Sequence, residues 1–309
     1  EELPEIDAVL GTGSYTNIVD AVRAVMQAPG TVYQNFGQIN EAEMEGGRIL
    51  LTPRYSAYLK IAEGCDNHCA YCVIPSLRGK FRSRAMEDVL KEAQALADAG
   101  VRELIIVAQD ITRYGMDLYH EHKLSELLHE LCKMDFTWVR LHYLYPDEIT
   151  DDMIQTIAQE PKIVKYLDIP IQHVNNRILR AMHRRGDAQF LRELFHQLRR
   201  EIPGLVLRTS LIVGLPGETD EEFEELCDFL REMQIERAGV FCYSPEEGSE
   251  AAEMPDQIDE ELKNERRMII EELQSDVLDR FAARMQGQLL DVLCEGWDGE
   301  TGLYYGRSY

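Results

Sequence analysis

The chain has 309 residues, 45% of them apolar, and carries 56 acidic against 32 basic side chains for a net charge of −24. That length and apolar content suffice for a large core and more than one domain, while no apolar run approaches the ~20 residues of a membrane span, so no membrane association is expected. An acidic start is the wrong sign for a targeting segment, and so negative a surface repels a phosphate backbone and draws a basic partner; a cytoplasmic protein is expected.

Residues 1–26 read as a short strand, Ala8-Val9-Leu10, and a helix near Asn17 to Met26 with Ile18, Val19, Val22 and Val25 at helical spacing. One strand and one helix cannot enclose a core, so this stretch is expected to be the C-terminal remnant of a preceding domain. Residues 27–54 are rich in glycine and proline without sustained periodicity and read as a linker, with a short strand over Arg48 to Leu51. From residue 55 short apolar runs alternate with amphipathic helical stretches, the pattern of parallel β/α units. The predicted strands are 57–62, 103–108, 139–143, 166–170, 206–213 and 238–243. Between them, Met86 to Ala97 repeats at helical spacing before a stop at Gly100, Asp187 is placed to cap a helix ending before Pro203, and Thr219 with Glu222 forms a capping box opening a helix to Met233. Six repeats over 55–258 predict an α/β protein, an open six-unit (β/α) partial barrel whose site lies at the carboxyl ends of its strands. Residues 259–286 predict a connecting helix, and 287–309 the start of a small β-domain with a strand from Gln288 to Glu295.

Four of the seven cysteines, Cys132, Cys227, Cys242 and Cys294, sit in apolar-periodic stretches and are expected to be core residues. The other three follow the first barrel strand in Gly64-Cys65-Asp66-Asn67-His68-Cys69-Ala70-Tyr71-Cys72, a C-x3-C-x2-C loop. Three thiolates so close can wrap one face of a soft metal centre, zinc or iron–sulfur. A structural zinc site needs a fourth ligand, which His68 inside the loop is badly placed to give. A [4Fe-4S] cubane on Cys65, Cys69 and Cys72 leaves one iron free to bind the amino and carboxylate groups of a methionine moiety.

This loop, after strand one and with an aromatic before its last cysteine, resembles the radical S-adenosylmethionine superfamily. The resemblance narrows to the methylthiotransferases at residues 73–84, 107–110, 167–173, 208–219 and 241–248, each at or beside a strand end. It implies a [4Fe-4S] cluster that donates an electron to S-adenosyl-L-methionine, releasing a 5′-deoxyadenosyl radical that abstracts hydrogen from an unactivated carbon. Within the family, Ile74-Pro75-Ser76 and Tyr243-Ser244-Pro245-Glu246-Glu247-Gly248 look like the branch that methylthiolates the β-carbon of an aspartate in small-subunit ribosomal protein S-twelve, a basic protein that the charge of this chain suits. The alternatives are methylthiolation of a tRNA adenosine and, more remotely, a zinc-stabilised binding protein without activity. The family also implies a second [4Fe-4S] cluster on an N-terminal domain, for which no cysteine precedes Cys65; a TRAM-like β-domain after the connecting helix; and a reductant of the flavodoxin type.

For the cofactor the resemblance points to Tyr71, Gln109, Gln172, Arg208, Ser210 and Tyr243. Gln109 would hydrogen-bond the amino end or merely cap a strand; Gln172 would hold a ribose hydroxyl, its neighbour His173 being structural. Arg208 and Ser210, two apart on one strand, share a face, where Arg208 meets either the methionine carboxylate or a buried ion-pair partner. Tyr243 would present backbone to adenine. The basic Arg78, Lys80, Arg82 and Arg84 would hold the cysteine loop or the substrate carboxylate, or form a solvated face.

Overall fold

The computed structural model describes residues 5–41, 48–51 and 53–309. The chain opens with β1 (Ala8–Leu10), α1 (Ile18–Gln27) and β2 (Tyr33–Asn35), β2 lying parallel to β1 inside the stretch expected to be a linker. Residues 48–51 form no strand; Ile49 and Leu51 are exposed, and Arg48 instead ties the segment to the barrel through Glu92 at 2.9 Å.

The central unit runs β3 (Ser56–Lys60), β4 (Ala62–Glu63), α2 (Ile74–Arg78), β5 (Arg82–Ser83), α3 (Met86–Asp98), β6 (Glu103–Val107), α4 (Leu124–Cys132), β7 (Trp138–His142), α5 (Asp151–Gln159), β8 (Ile163–Asp168), α6 (Asn176–Ala181), α7 (Ala188–Glu201), β9 (Val206–Val213), α8 (Asp220–Met233) and β10 (Arg237–Cys242). Six strands form one all-parallel sheet in the order β10-β9-β8-β7-β6-β3, so each successive unit pairs with the one before. One cavity touches Tyr58, Ile105, Arg140, Tyr166, Arg208 and Gly239, a residue from each strand, so the sheet is curled into a trough. The sheet's other face carries the core: in β9 the buried Leu207, Thr209, Leu211 and Val213 alternate with the half-exposed Arg208, Ser210 and Ile212. Leu59, Leu104, Ile106, Leu141 and Leu167 continue that layer against the helices. Strand ends shift by up to two residues from the expected ones, except that β8 begins three residues early, at Ile163. Lys165 breaks its apolar run but sends its ammonium to the Glu160 carbonyl at 2.9 Å, so a charged residue sits in the strand with its donors partly satisfied.

Local signals fix the helix ends. Asp187 accepts from Phe190 N at 2.8 Å, and Thr219 and Glu222 close a reciprocal capping box on α8. Beyond the sheet, α9 (Glu260–Met285) leads to the antiparallel pair β11 (Leu293–Asp298) and β12 (Leu303–Arg307). The strand expected from Gln288 therefore starts five residues later; Leu289, Leu290 and Val292 are exposed and unpaired. All seven cysteines are free. Cys132 and Cys227 are buried as expected, whereas Cys242 ends β10 half-exposed and Cys294 is exposed on β11, so neither is core. No helix among the described residues is long and apolar enough to cross a membrane.

Candidate functional site: the cysteine loop and the mouth of the trough

The loop that carries Cys65, Cys69 and Cys72 leaves β4 at Gly64, whose φ of +80° is open to glycine at little cost. A Cβ there would stand 2.2 Å from the Lys80 carbonyl oxygen and 2.6 Å from that of Gly79, so the chain passes where only a hydrogen fits. That approach lets Cys65 N donate to Gly79 O at 3.2 Å, while Asp66 accepts from Phe81 N at 3.0 Å and Asn67 donates to Asp110 at 3.0 Å. Farther along, Ala70 is clamped from both sides, its N donating to Met182 O at 3.1 Å and its carbonyl accepting from Ala251 N at 2.8 Å. A small apolar core of Ala70, Ile178, Met182, Leu215, Tyr243 and Ala251 holds the loop from beneath, with Tyr71 packed on it. The loop is thus fixed by backbone contacts on several sides, which is what a rigid metal cradle requires.

The three thiols are half-buried and close enough to affect one another. Burial pushes Cys65 up to about 11, with Asp110 and the other two thiols adding to it, and burial likewise raises Cys72. Thiolates here therefore need a positive centre, which cluster irons supply. Among the described residues, no group of three His, Cys, Asp or Glu side chains is close enough to hold a single metal ion.

Beside the loop, at the carboxyl ends of the strands, lies a cavity of about 400 Å³. Five of the six residues expected to touch cofactor line it: Tyr71, Gln109, Gln172, Ser210 and Tyr243. Gln109 is anchored by its amide nitrogen, which donates to Glu63 Oε1 at 3.0 Å; Glu63 is held in turn by Lys60 at 2.6 Å. Its carbonyl Oε1 is buried and has no partner among the described residues, an acceptor open to a donor such as an ammonium group. Gln172 sits in the left-handed region at φ +69°, a conformation that costs a non-glycine residue of order 1 kcal/mol. Two backbone bonds hold it there, Gln172 N to Ser210 O at 2.9 Å and Ile212 N to Gln172 O at 2.8 Å.

The sixth, Arg208, is not at this cavity. It pairs with the buried Asp168 at 2.6 Å and lines the deeper cavity of the trough. The reason is strand geometry: Arg208 and Ser210 do share a face, but they are separated along the strand, and the carboxylate of β8 captures the guanidinium first. His173, the neighbour of Gln172, is fully buried, with Nδ1 accepting from Asn175 N at 3.0 Å. Burial depresses it to about 3. The basic run divides: Arg84 is buried and paired with Glu92 at 2.7 Å, Arg82 reaches the Lys80 carbonyl at 3.1 Å, and Arg78 and Lys80 are exposed.

Sequence reasoning gave no cofactor role to several residues at the site. Tyr143, Pro170, Ile212, Phe241, Cys242, Ser244 and Glu246 also line the mouth cavity, those from 241 on within a segment that carried the resemblance. Tyr145 lies 3.6 Å from Cys69 Sγ, with the Arg184 guanidinium stacked 3.9 Å from its ring. Tyr143, Phe241 and Cys242 stood at predicted strand ends, a signal that could have found them; Tyr145 and Arg184 belong to loops that no periodicity marks.

A six-strand parallel trough with a three-cysteine loop after its first strand defines a radical S-adenosylmethionine protein, and the Radical SAM superfamily model matches residues 59–230. Among solved structures, coproporphyrinogen III oxidase from Escherichia coli shares the fold, with a TM-score of 0.55 at 20% identity over 73% of this chain and 53% of its own. Curated relatives are far nearer. Ribosomal protein uS12 methylthiotransferase RimO of Caldanaerobacter subterraneus is 49% identical over 311 residues, covering all of this chain and 70% of that protein. The protein of the same name from Pelotomaculum thermopropionicum is 50% identical over 310 residues, covering 99% of this chain and 69% of its own length. The chain belongs to the RimO family of radical S-adenosylmethionine methylthiotransferases, and is a transferase that uses a [4Fe-4S] cluster and S-adenosylmethionine.

Proposed function

We propose that this protein adds a methylthio group to the β-carbon of an aspartate in ribosomal protein uS12, with Cys65, Cys69 and Cys72 as the cluster ligands and the mouth cavity as the cofactor site. The observation that carries this reading is the convergence of Tyr71, Gln109, Gln172, Ser210 and Tyr243 on one cavity beside the cysteine loop. When bound, the cluster and S-adenosylmethionine supply the one-electron chemistry that activates a carbon–hydrogen bond.

The chain's own residues do the rest. Gln109 offers its unpartnered carbonyl to the amino group of the methionine moiety, its orientation fixed through Glu63. Gln172 and Ser210, tied together through the backbone, hold the ribose side, and Tyr243 shapes the adenine end. Tyr71 and the core beneath it keep water from the thiols. A charge of −24 favours encounter with a basic ribosomal protein over tRNA, and a flavodoxin-type reductant is the expected electron source.

The test is anaerobic incubation of the reconstituted protein with reductant, S-adenosylmethionine and purified small ribosomal subunits, followed by the intact mass of uS12. An added methylthio group on uS12 is expected. An unmodified uS12 beside a modified tRNA would reassign the substrate.

A further inference from the structure

Below the mouth, the trough holds a second and larger cavity, about 930 Å³, within the range of small-molecule sites. Its walls come from the six strands of the sheet, from α9 and from β12, and it carries four arginines: Arg140, Arg208, Arg237 and Arg307. Most carboxylates nearby are already engaged. Glu103 accepts from Arg140 Nε at 2.9 Å and from Arg307 Nη1 at 2.9 Å; Asp168 takes Arg208; Glu295 takes Arg307 at 2.7 Å; and Glu236 pairs with Arg199 at 3.2 Å.

What remains is one positive charge in excess, with its donors pointing into the space. Arg237 is exposed and has no partner among the described residues. Arg140 is 7% exposed, held by Nε to Glu103 and by its guanidinium stacked 5.1 Å from the Tyr166 ring, so both its Nη groups lack a partner among the described residues. Arg208 spends only Nη1. The rings of Tyr58 and Tyr166 line the same space. In a protein of net charge −24, an arginine-lined lumen is a local inversion of sign, and forked donors beside aromatic side chains match an oxyanion on a flat body.

We propose that this lumen is a binding site, separate from the mouth cavity, for a small molecule bearing a carboxylate or phosphate on an aromatic or apolar body. The anion is taken by Arg237, with Arg140 and Arg208 adding positive charge along the lumen, and the body lies along the aromatic wall that includes Tyr58. The site goes beyond the methylthiolation reading and does not require it, since none of these residues touches the mouth cavity.

Isothermal titration of the purified protein with phenyl phosphate, benzoate and inorganic phosphate, each with and without saturating S-adenosylhomocysteine, tests it. One saturable site per chain is expected for phenyl phosphate or benzoate, whichever anion the fork prefers, and it should persist when S-adenosylhomocysteine fills the mouth. Arg237→Gln should weaken it about tenfold, as loss of a charge-assisted fork does, while leaving the thermal midpoint and the S-adenosylhomocysteine affinity unchanged. No saturable binding of any probe, equal binding by R237Q, or displacement by S-adenosylhomocysteine would each overturn the proposal. Failure of S-adenosylhomocysteine itself to bind would count against the cofactor site and leave the lumen titration interpretable.

Discussion

His173 and Glu218 should make this protein's stability respond to pH in opposite senses, and removing one should expose the other. His173 is fully buried, and burial depresses it to about 3. A depressed histidine contributes stability that is present above its unfolded value, near 6.5, and is lost as pH falls toward the folded one. Each pH unit in that window costs about 1.4 kcal/mol, so a fall from 6.5 to 5 costs about 2 kcal/mol. Glu218 behaves inversely. Burial pushes it up to about 7 despite Arg266 at 2.9 Å and the Gly214 amide, so the neutral acid is favoured in the folded protein. Its contribution is complete below its unfolded value, near 4.5, and is lost as pH rises through about 7. Between about 4.5 and 6.5 the two slopes oppose one another in the wild type, His173 Nε2 standing 3.9 Å from Glu218 Oε2. His173→Asn keeps an acceptor for Asn175 N and removes the titration. Relative to wild type, H173N should gain about 2 kcal/mol between pH 6.5 and pH 5, read as the shift in urea midpoint of the two proteins side by side. A wild-type-to-variant difference that stays constant from pH 7 to pH 5 would refute the assignment.

Two further outcomes follow from the site. Gly64→Ala places a methyl group within 2.2 Å of a backbone oxygen at φ +80°; it should cut the iron bound after anaerobic reconstitution by more than half, since the loop must retreat from residues 79 and 80, and full iron loading would argue against the tight passage. Gln109→Leu removes a mouth-cavity acceptor that has no partner among the described residues and should weaken S-adenosylmethionine about tenfold with cluster content unchanged, a value in line with one hydrogen bond to a charged group. Unchanged affinity would reduce Gln109 to the strand-end cap that its position also allows.

The barrel was legible in the sequence because each unit repeats the same two periods. Leu207, Thr209, Leu211 and Val213 alternate as a half-buried strand must, and Asp187 and Thr219 cap helices by contacts within four residues. The residues of the mouth cavity were legible for a related reason: a parallel trough has one binding end, so Gln109, Gln172 and Tyr243 could be ranked by where their strands finish. Arg208 shows where that ends. Face and depth along a strand are different coordinates, and only the fold revealed that Asp168 of the next strand would hold it at 2.6 Å. Strand β2 was hidden among glycines because three residues, Tyr33 to Asn35, are too few to show alternation, and β11 was displaced because Leu289, Leu290 and Val292 are apolar without being buried. Tyr145 and Arg184 come to the cysteine loop from distant parts of the chain, which no local pattern reports.

The proposed role of Cys65, Cys69 and Cys72 is to hold a cluster that cleaves S-adenosylmethionine. The most direct measurement is anaerobic reconstitution of the wild type and of Cys65→Ala, Cys69→Ala and Cys72→Ala, followed by iron and sulfide analysis and by assay of 5′-deoxyadenosine after reduction in the presence of S-adenosylmethionine. The wild type should form 5′-deoxyadenosine, and each variant should lose both that product and the iron bound at this loop. Zinc without iron or sulfide in the wild type, or a cysteine variant that still makes 5′-deoxyadenosine at the wild-type rate, would contradict it.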